Sequence, residues 1–184
     1  MELPRPLAFA LSGGGSYGAV QVGMLRALRE ADIDPDIVVG TSVGALNGAV
    51  LASRPSGQAV DALEEIWDAI DRKTVFGGGF LRTALRVARH RTSALDPSRL
   101  ADLIDHHVPV ETIEDMLLSF GAVATVALTG EPLLLRHGRL RPALLASSAI
   151  PGVFPAIDHD HRQLVDGGIS ANLPIRQAFA MGAA

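Results

Sequence analysis

Ile37-Val38-Val39-Gly40-Thr41-Ser42-Val43-Gly44-Ala45-Leu46-Asn47-Gly48-Ala49 runs from a β-branched apolar segment, through a GxSxG box, into a series of small residues. The apolar segment reads as a buried strand and residues 43–53 as a helix packed closely on the sheet, so the box is a sharp strand-to-helix turn. Glycines two residues either side of Ser42 remove the Cβ atoms that such a turn would crowd. Ser42 is therefore the candidate nucleophile, with Gly40 and Gly44 as its supporting glycines. Taken alone, the box also fits a glycine turn kept for packing.

Upstream, Leu7-Ala8-Phe9-Ala10-Leu11 is a second short apolar run, ending at Ser12-Gly13-Gly14-Gly15. Tyr17 to Ala31 then places Val20, Met24, Leu28 and Ala31 on one helical face, with Arg26, Arg29 and Glu30 away from it, and that face is expected to be the buried one. Successive glycines before a helix leave backbone N–H groups free to converge on an anion. Gly13 to Gly18 also satisfies the dinucleotide fingerprint GxGxxG. That chemistry requires an acidic residue after the second strand, whereas Asp32, Asp34 and Asp36 all precede it. No Lys-Ser or Lys-Thr follows the glycines, which excludes a Walker loop. An oxyanion hole and a structural turn remain.

The chain has 184 residues, 48% of them hydrophobic, which suffices for one domain with a sizeable core. A formal net charge of -4 and 4% aromatic residues argue against nucleic acid as a partner. Cysteine is absent, excluding disulfide and thiolate chemistry. The longest apolar run, Ala122 to Leu128, is too short to span a bilayer, and the N-terminus makes a poor signal peptide, so a cytoplasmic location is expected.

Further along, Val60, Leu63, Ile66, Trp67 and Ile70 recur at helical spacing, with Trp67 as a packing anchor. Residues 76–91 join an apolar glycine-rich tip to Arg82, Arg86, Arg89, His90 and Arg91. They read either as a lid making transient contact with a membrane surface or as a solvated helix. Asp96-Pro97-Ser98 caps a helix that ends near His106 and His107. Ala122 to Leu128 and Pro132 to Arg136 read as paired strands, Leu140 to Ile150 as a short helix, and residues 174–181 as another. Asp158-His159-Asp160-His161 has the composition of a metal site but the position of a polar hairpin turn, so no metal or cofactor is expected. Strand Gln163-Leu164-Val165 ends at Asp166-Gly167-Gly168, a carboxylate at a glycine turn.

In sum these boxes resemble the patatin-like phospholipase family, lipid acyl hydrolases with a three-layer α/β/α sandwich and a mostly parallel central sheet. The glycine box at 13–18 resembles that family's oxyanion loop, and Gly40 to Gly44 its nucleophile elbow. Ser147-Ser148-Ala149-Ile150-Pro151 resembles its third box, with Pro151 the expected proline, and Asp166-Gly167-Gly168 resembles the box holding the dyad aspartate. The resemblance implies that Asp166 takes the proton from Ser42 without an intervening histidine, with Gly13, Gly14 and Gly15 binding the oxyanion and Gly167 and Gly168 in support. His159 or His161 is the alternative base.

Two positions depart from the family pattern. Tyr17 stands where many members carry Arg or Lys, and the sequence reaches Gly182-Ala183-Ala184 where the family continues into further sheet, so a domain lacking the C-terminal portion is expected. A general serine esterase or thioesterase on small acyl substrates, and a silent lipid-binding module, are the alternatives to a lipid acyl hydrolase.

Overall fold

Strand, glycine turn and helix follow one another twice at the start of the chain, and the second repeat carries the GxSxG box. The computed structural model describes residues 3–75 and 98–184. In it β1 (Ala8–Leu11) leads through a single 3-10 turn (Gly15–Tyr17) to α1 (Gly18–Glu30), and β2 (Ile37–Thr41) leads through Ser42 to α2 (Val43–Ala52). Then come α3 (Ser56–Val75), α4 (Ser98–His107), β3 (Ser119–Val126), β4 (Pro132–Leu135) and α5 (Leu140–Ser147). They are followed by β5 (Ile157–His159), β6 (Arg162–Asp166), α6 (Gly168–Ala171) and α7 (Ile175–Ala180). The expected membrane-contacting lid at 76–91, and the capping residues Asp96 and Pro97, lie outside the described residues.

The sheet is organised around β3. β1, β2 and β3 run parallel, and β4, β6 and β5 join antiparallel. Ala122 and Val123 pair with both β2 and β4, while Ala124 and Thr125 pair with both β4 and β6. A strand has two edges, so β4 holds one edge of β3, and β2 and β6 share the other, meeting end to end. β2 stops at Thr41 opposite Val123; β6 comes from the other direction and stops at Asp166 opposite Ala124. Register alone therefore brings the ends of the two site-bearing strands to consecutive positions of β3.

Side chains alternate across a strand, and here the alternation sorts the helices into two layers. Val38, Phe120, Ala122 and Ala124 face a core shared with α1, α2, α3, α4 and α5. Ile37, Val39 and Val123 face the other side, where Ala171 and Ala178 of α6 and α7 pack. The result is an α/β/α sandwich with its larger helical layer on the α2 side. No helix among the described residues is long and apolar enough to cross a membrane.

α1 presents a different face from the one its apolar spacing indicates. Gly18, Gln21, Val22 and Leu25 are buried, whereas Val20 is 59% and Met24 62% exposed. Close packing decides the rotation. A Cβ at Gly18 would lie 2.4 Å from the Trp67 ring and 2.5 Å from Val43 Cγ2, so only glycine lets α1 settle this near to α2 and α3. Gln21 is drawn inward by hydrogen bonds to Ser12 and Asn47. Asp160 and His161, at φ 46° and 62°, form the two-residue turn between β5 and β6, as the polar-hairpin reading requires.

Candidate active site

The elbow is built from two glycines that have no room for a side chain. A Cβ at Gly40 would sit 2.3 Å from the carbonyl oxygen of Gly44, and one at Gly44 would sit 2.3 Å from the Leu11 carbonyl oxygen and 2.5 Å from that of Ser12. β2 and α2 thus cross in contact, and α2 starts directly beneath the end of β1. Ser42, between them, adopts φ 54° and ψ -125°, a conformation that costs a non-glycine residue on the order of 1–3 kcal/mol. Such strain persists only where the surroundings fix it. One fixing contact is a hydrogen bond from the Ser42 backbone N–H to Ser147 Oγ at 2.9 Å, and Ser147 in turn donates to the Val123 carbonyl at 2.7 Å.

Asp166 ends β6 and is only 6% exposed. Its Oδ1 accepts the Gly168 backbone N–H at 2.7 Å, while Oδ2 has no hydrogen-bond partner among the described residues. Burial pushes the carboxyl above its usual range; the Ser42 hydroxyl and the Gly168 N–H act in the opposite direction. The Ser42 hydroxyl is thus near enough to favour the charged carboxylate, though it is not locked to Oδ2 by a hydrogen bond.

The turn after Asp166 is as tightly held as the elbow. A Cβ at Gly167 would lie 2.1 Å from the Val123 carbonyl oxygen, which excludes any other residue there. Thr41 Oγ1 donates to the Ala171 carbonyl at 2.8 Å, Thr125 Oγ1 donates to the Asp166 carbonyl at 2.9 Å, and Thr125 Oγ1 lies 2.8 Å from Ser170 Oγ. Behind it, the Asp166 N–H donates to the Ala149 carbonyl and the Gly167 N–H to that of Ser147. The third box therefore touches the site through residues 147–149; Pro151 itself is exposed in the following turn.

Of the three candidate oxyanion glycines, Gly13 differs from the other two. Its N–H donates to the Asn172 carbonyl at 3.0 Å, which removes it from the donor set. Gly14 and Gly15, at φ 153° and 57°, make no backbone hydrogen bond through their N–H groups among the described residues. Their conformations are open to glycine and costly for other residues. Gly13 remains close to the nucleophile: a Cβ there would be 3.3 Å from Ser42 Cβ and 2.7 Å from Asn172 Oδ1.

His159 and His161 lie at the opposite end of β6 from Asp166, roughly 15 Å away at the usual rise per residue. The structure therefore brings Ser42, Asp166 and the glycine loop together, with exposed apolar side chains on the adjoining segments. Tyr17 is 74% exposed beside Gly14, and Ile169 and Leu173 are exposed just after the Asp166 turn. Asn172 and Ser147 each hold a segment of this cluster; Ser147 opens the third box, whereas Asn172 does not stand out by type or spacing. Their partners are backbone groups distant in sequence.

The family model for patatin-like phospholipase matches residues 9–179. The chain is 32% identical over 179 residues to patatin-like phospholipase domain-containing protein 7 of Rattus norvegicus, covering 96% of this chain and 13% of that protein. It is 34% identical over 175 residues to an uncharacterized NTE family protein of Mycobacterium bovis, covering 94% of this chain and 45% of that protein. The chain thus spans less than half the length of either relative. Among solved structures, VipD from Legionella pneumophila superposes with a TM-score of 0.61 at 16% identity, over 93% of this chain and 47% of that one. That likeness bears on the fold alone. A family model matched from β1 into α7, across every box that lines the site, places the chain in the patatin-like phospholipase family.

Proposed function

We propose that the chain is a lipid acyl hydrolase in which Ser42 is the nucleophile and Asp166 the general base. The observation that carries this reading is the register that stops β2 and β6 at consecutive positions of β3, with the strained Ser42 following one and Asp166 ending the other. Among the described residues Asp166 Oδ2 is the carboxylate oxygen without a hydrogen-bond partner, since Oδ1 is held by Gly168. It takes the Ser42 hydroxyl proton as Oγ bonds to the ester carbonyl carbon. The N–H groups of Gly14 and Gly15 stabilise the resulting oxyanion. Collapse breaks the bond to the leaving alkoxide, which receives the proton from Asp166. Water then attacks the acyl-enzyme, giving a proton to Asp166, and Ser42 regains that proton as the acid departs.

The family supports a lipid substrate, as do Tyr17, Val20, Met24, Ile169 and Leu173, exposed apolar side chains on the segments that follow the glycine loop and Asp166. Turnover of p-nitrophenyl esters of graded chain length, with fluorophosphonate labelling in parallel, tests the reading on the wild type, Ser42→Ala and Asp166→Asn. Labelling and turnover lost in Ser42→Ala, turnover depressed in Asp166→Asn, and a preference for longer acyl chains are expected. Preference for acetyl esters would replace the lipid substrate with small acyl esters. A folded wild type that neither labels nor turns over would leave a lipid-binding module.

A further inference from the structure

A buried polar relay joins three helices to the glycine loop. The Trp67 indole N–H donates to Asn47 Oδ1 at 3.0 Å. Asn47 Nδ2 donates to the Gly18 carbonyl and to Gln21 Oε1, both at 3.0 Å, and Gln21 Nε2 donates to the Ser12 carbonyl at 2.7 Å. An indole N–H can only donate. It therefore fixes which end of the Asn47 amide faces it, Asn47 fixes the Gln21 amide, and the direction of every bond in the relay follows. Asn47 and Gln21 are 3% and 8% exposed, so a lost partner there could not be replaced freely by solvent.

Both terminal acceptors are backbone carbonyls, and they bracket the loop. Ser12 precedes Gly13, and Gly18 follows the 3-10 turn. Between them, Gly14 and Gly15 have positive φ and no side chain to limit where their N–H groups point. The pins are carried by α1 and by α2, the helix that begins at Ser42. We propose that Gln21 and Asn47, oriented by Trp67, are positioning residues that set the oxyanion donors at a fixed distance from the nucleophile. This deepens the reading of the glycine loop as an oxyanion hole and rests on it.

Near-isosteric apolar replacements, Gln21→Met and Asn47→Leu, remove the pins while keeping most of the volume. Displacing the donors by an ångström or less is expected to lower kcat by about 10- to 100-fold, with KM for a p-nitrophenyl ester changed by less than about twofold. The discriminating readout is the rate on the ester relative to its thiono analogue, whose C=S sulfur accepts hydrogen bonds weakly. That ratio is expected to fall in both variants. Trp67→Phe, which keeps a ring at the α1–α3 contact and removes only the relay's first donor, is expected to lower the ratio by less and supplies the test if either other variant fails to fold. An unchanged ratio in folded variants, with both substrates slowed equally or not at all, overturns the proposal. Amide exchange at Gly13, whose N–H is held by the Asn172 carbonyl beside the pinned Ser12 carbonyl, is measured in the same proteins and is expected to accelerate; unchanged exchange also overturns it. Because exchange needs no turnover, an inactive wild type would remove the hydrolase reading while the pinning was still decided.

Discussion

The backbone N–H of Gly13 donates to the carbonyl of Asn172 at 3.0 Å, so the first glycine of the loop is tied to the segment that follows Asp166 and is not free for substrate. The contact joins the two halves of the site through the main chain. Residues 12–18 carry the proposed oxyanion donors, residues 166–172 the proposed base, and this bond holds one against the other beside Ser42.

The side chains at that junction predict a compensating pair. A Cβ on Gly13 would meet Asn172 Oδ1 at 2.7 Å, the end of a side chain that can be shortened, and Ser42 Cβ at 3.3 Å, which cannot move without disturbing the elbow. Gly13→Ala is expected to lower kcat by roughly 10- to 100-fold through displacement of the loop. Gly13→Ala/Asn172→Ala is expected to recover part of that loss, because the Asn172 carbonyl still accepts the Gly13 N–H. A double variant slower than Gly13→Ala would show that the Asn172 amide contributes something beyond bulk.

The small residues of α2 separate into two kinds. At Gly44 an added methyl would strike two backbone carbonyls at 2.3 and 2.5 Å, whereas at Gly48 it would meet side chains, Val38 at 3.0 Å and Phe120 at 3.3 Å. Side chains can shift by a few tenths of an ångström; a carbonyl at the end of β1 cannot. Gly48→Ala is expected to fold with a net change within about 1 kcal/mol, the helix propensity of Ala over Gly offsetting much of the overpacking. Gly44→Ala is expected to exceed that range or to prevent folding, as read by chemical denaturation. Equal losses would mean that the crossing of β1 and α2 is less tight than its geometry indicates.

Removal of the Ser147 hydroxyl isolates its hold on the elbow. Ser147→Ala leaves the Ser42 N–H and a lone pair of the Val123 carbonyl without their partner in a buried setting, at a cost of about 1–3 kcal/mol. Ser42 is then held less firmly in its strained conformation, so fluorophosphonate labelling is expected to slow along with the drop in stability. Full labelling rate in a destabilised variant would confine Ser147 to stability alone.

Much of this site was legible in the sequence because its boxes lie where buried strands end. Ile37-Val38-Val39 before Gly40, and Leu164-Val165 before Asp166, fix both strands and the points at which they turn. The rotation of α1 was not legible. Val20 and Met24 make a plausible apolar face, and what turns them outward is the fit of Gly18 against Trp67 and the pull of Asn47 on Gln21, both set by residues dozens of positions away. For the same reason Gly13 reads like its neighbours in a run of three glycines. Only the position of Asn172 separates it from them.

Asp166 links stability to pH in a direction opposite to that of a surface carboxylate. Burial raises its pKa in the folded chain above the ordinary value of 3.8, and the nearby Ser42 hydroxyl and the Gly168 N–H only partly offset this. The folded state then holds this proton more tightly than the unfolded state. Its contribution to stability is fully present below the unfolded value and is lost as pH rises through the folded one. Once ionised, the buried carboxylate is a net cost, tolerated because the proposed reaction needs the charge. Asp166→Asn is expected to raise Tm at pH 7 while lowering kcat by about 10²–10⁴-fold. The Tm advantage is expected to shrink as pH falls through the raised folded pKa, below which the wild-type carboxyl is also neutral. In the wild type, activity is expected to fall on the acid side at a pH above 3.8, following the raised carboxyl. An Asn variant less stable than the wild type at pH 7, by the same thermal melts, would mean that the Ser42 hydroxyl and the Gly168 N–H outweigh burial and that the charge stabilises the fold.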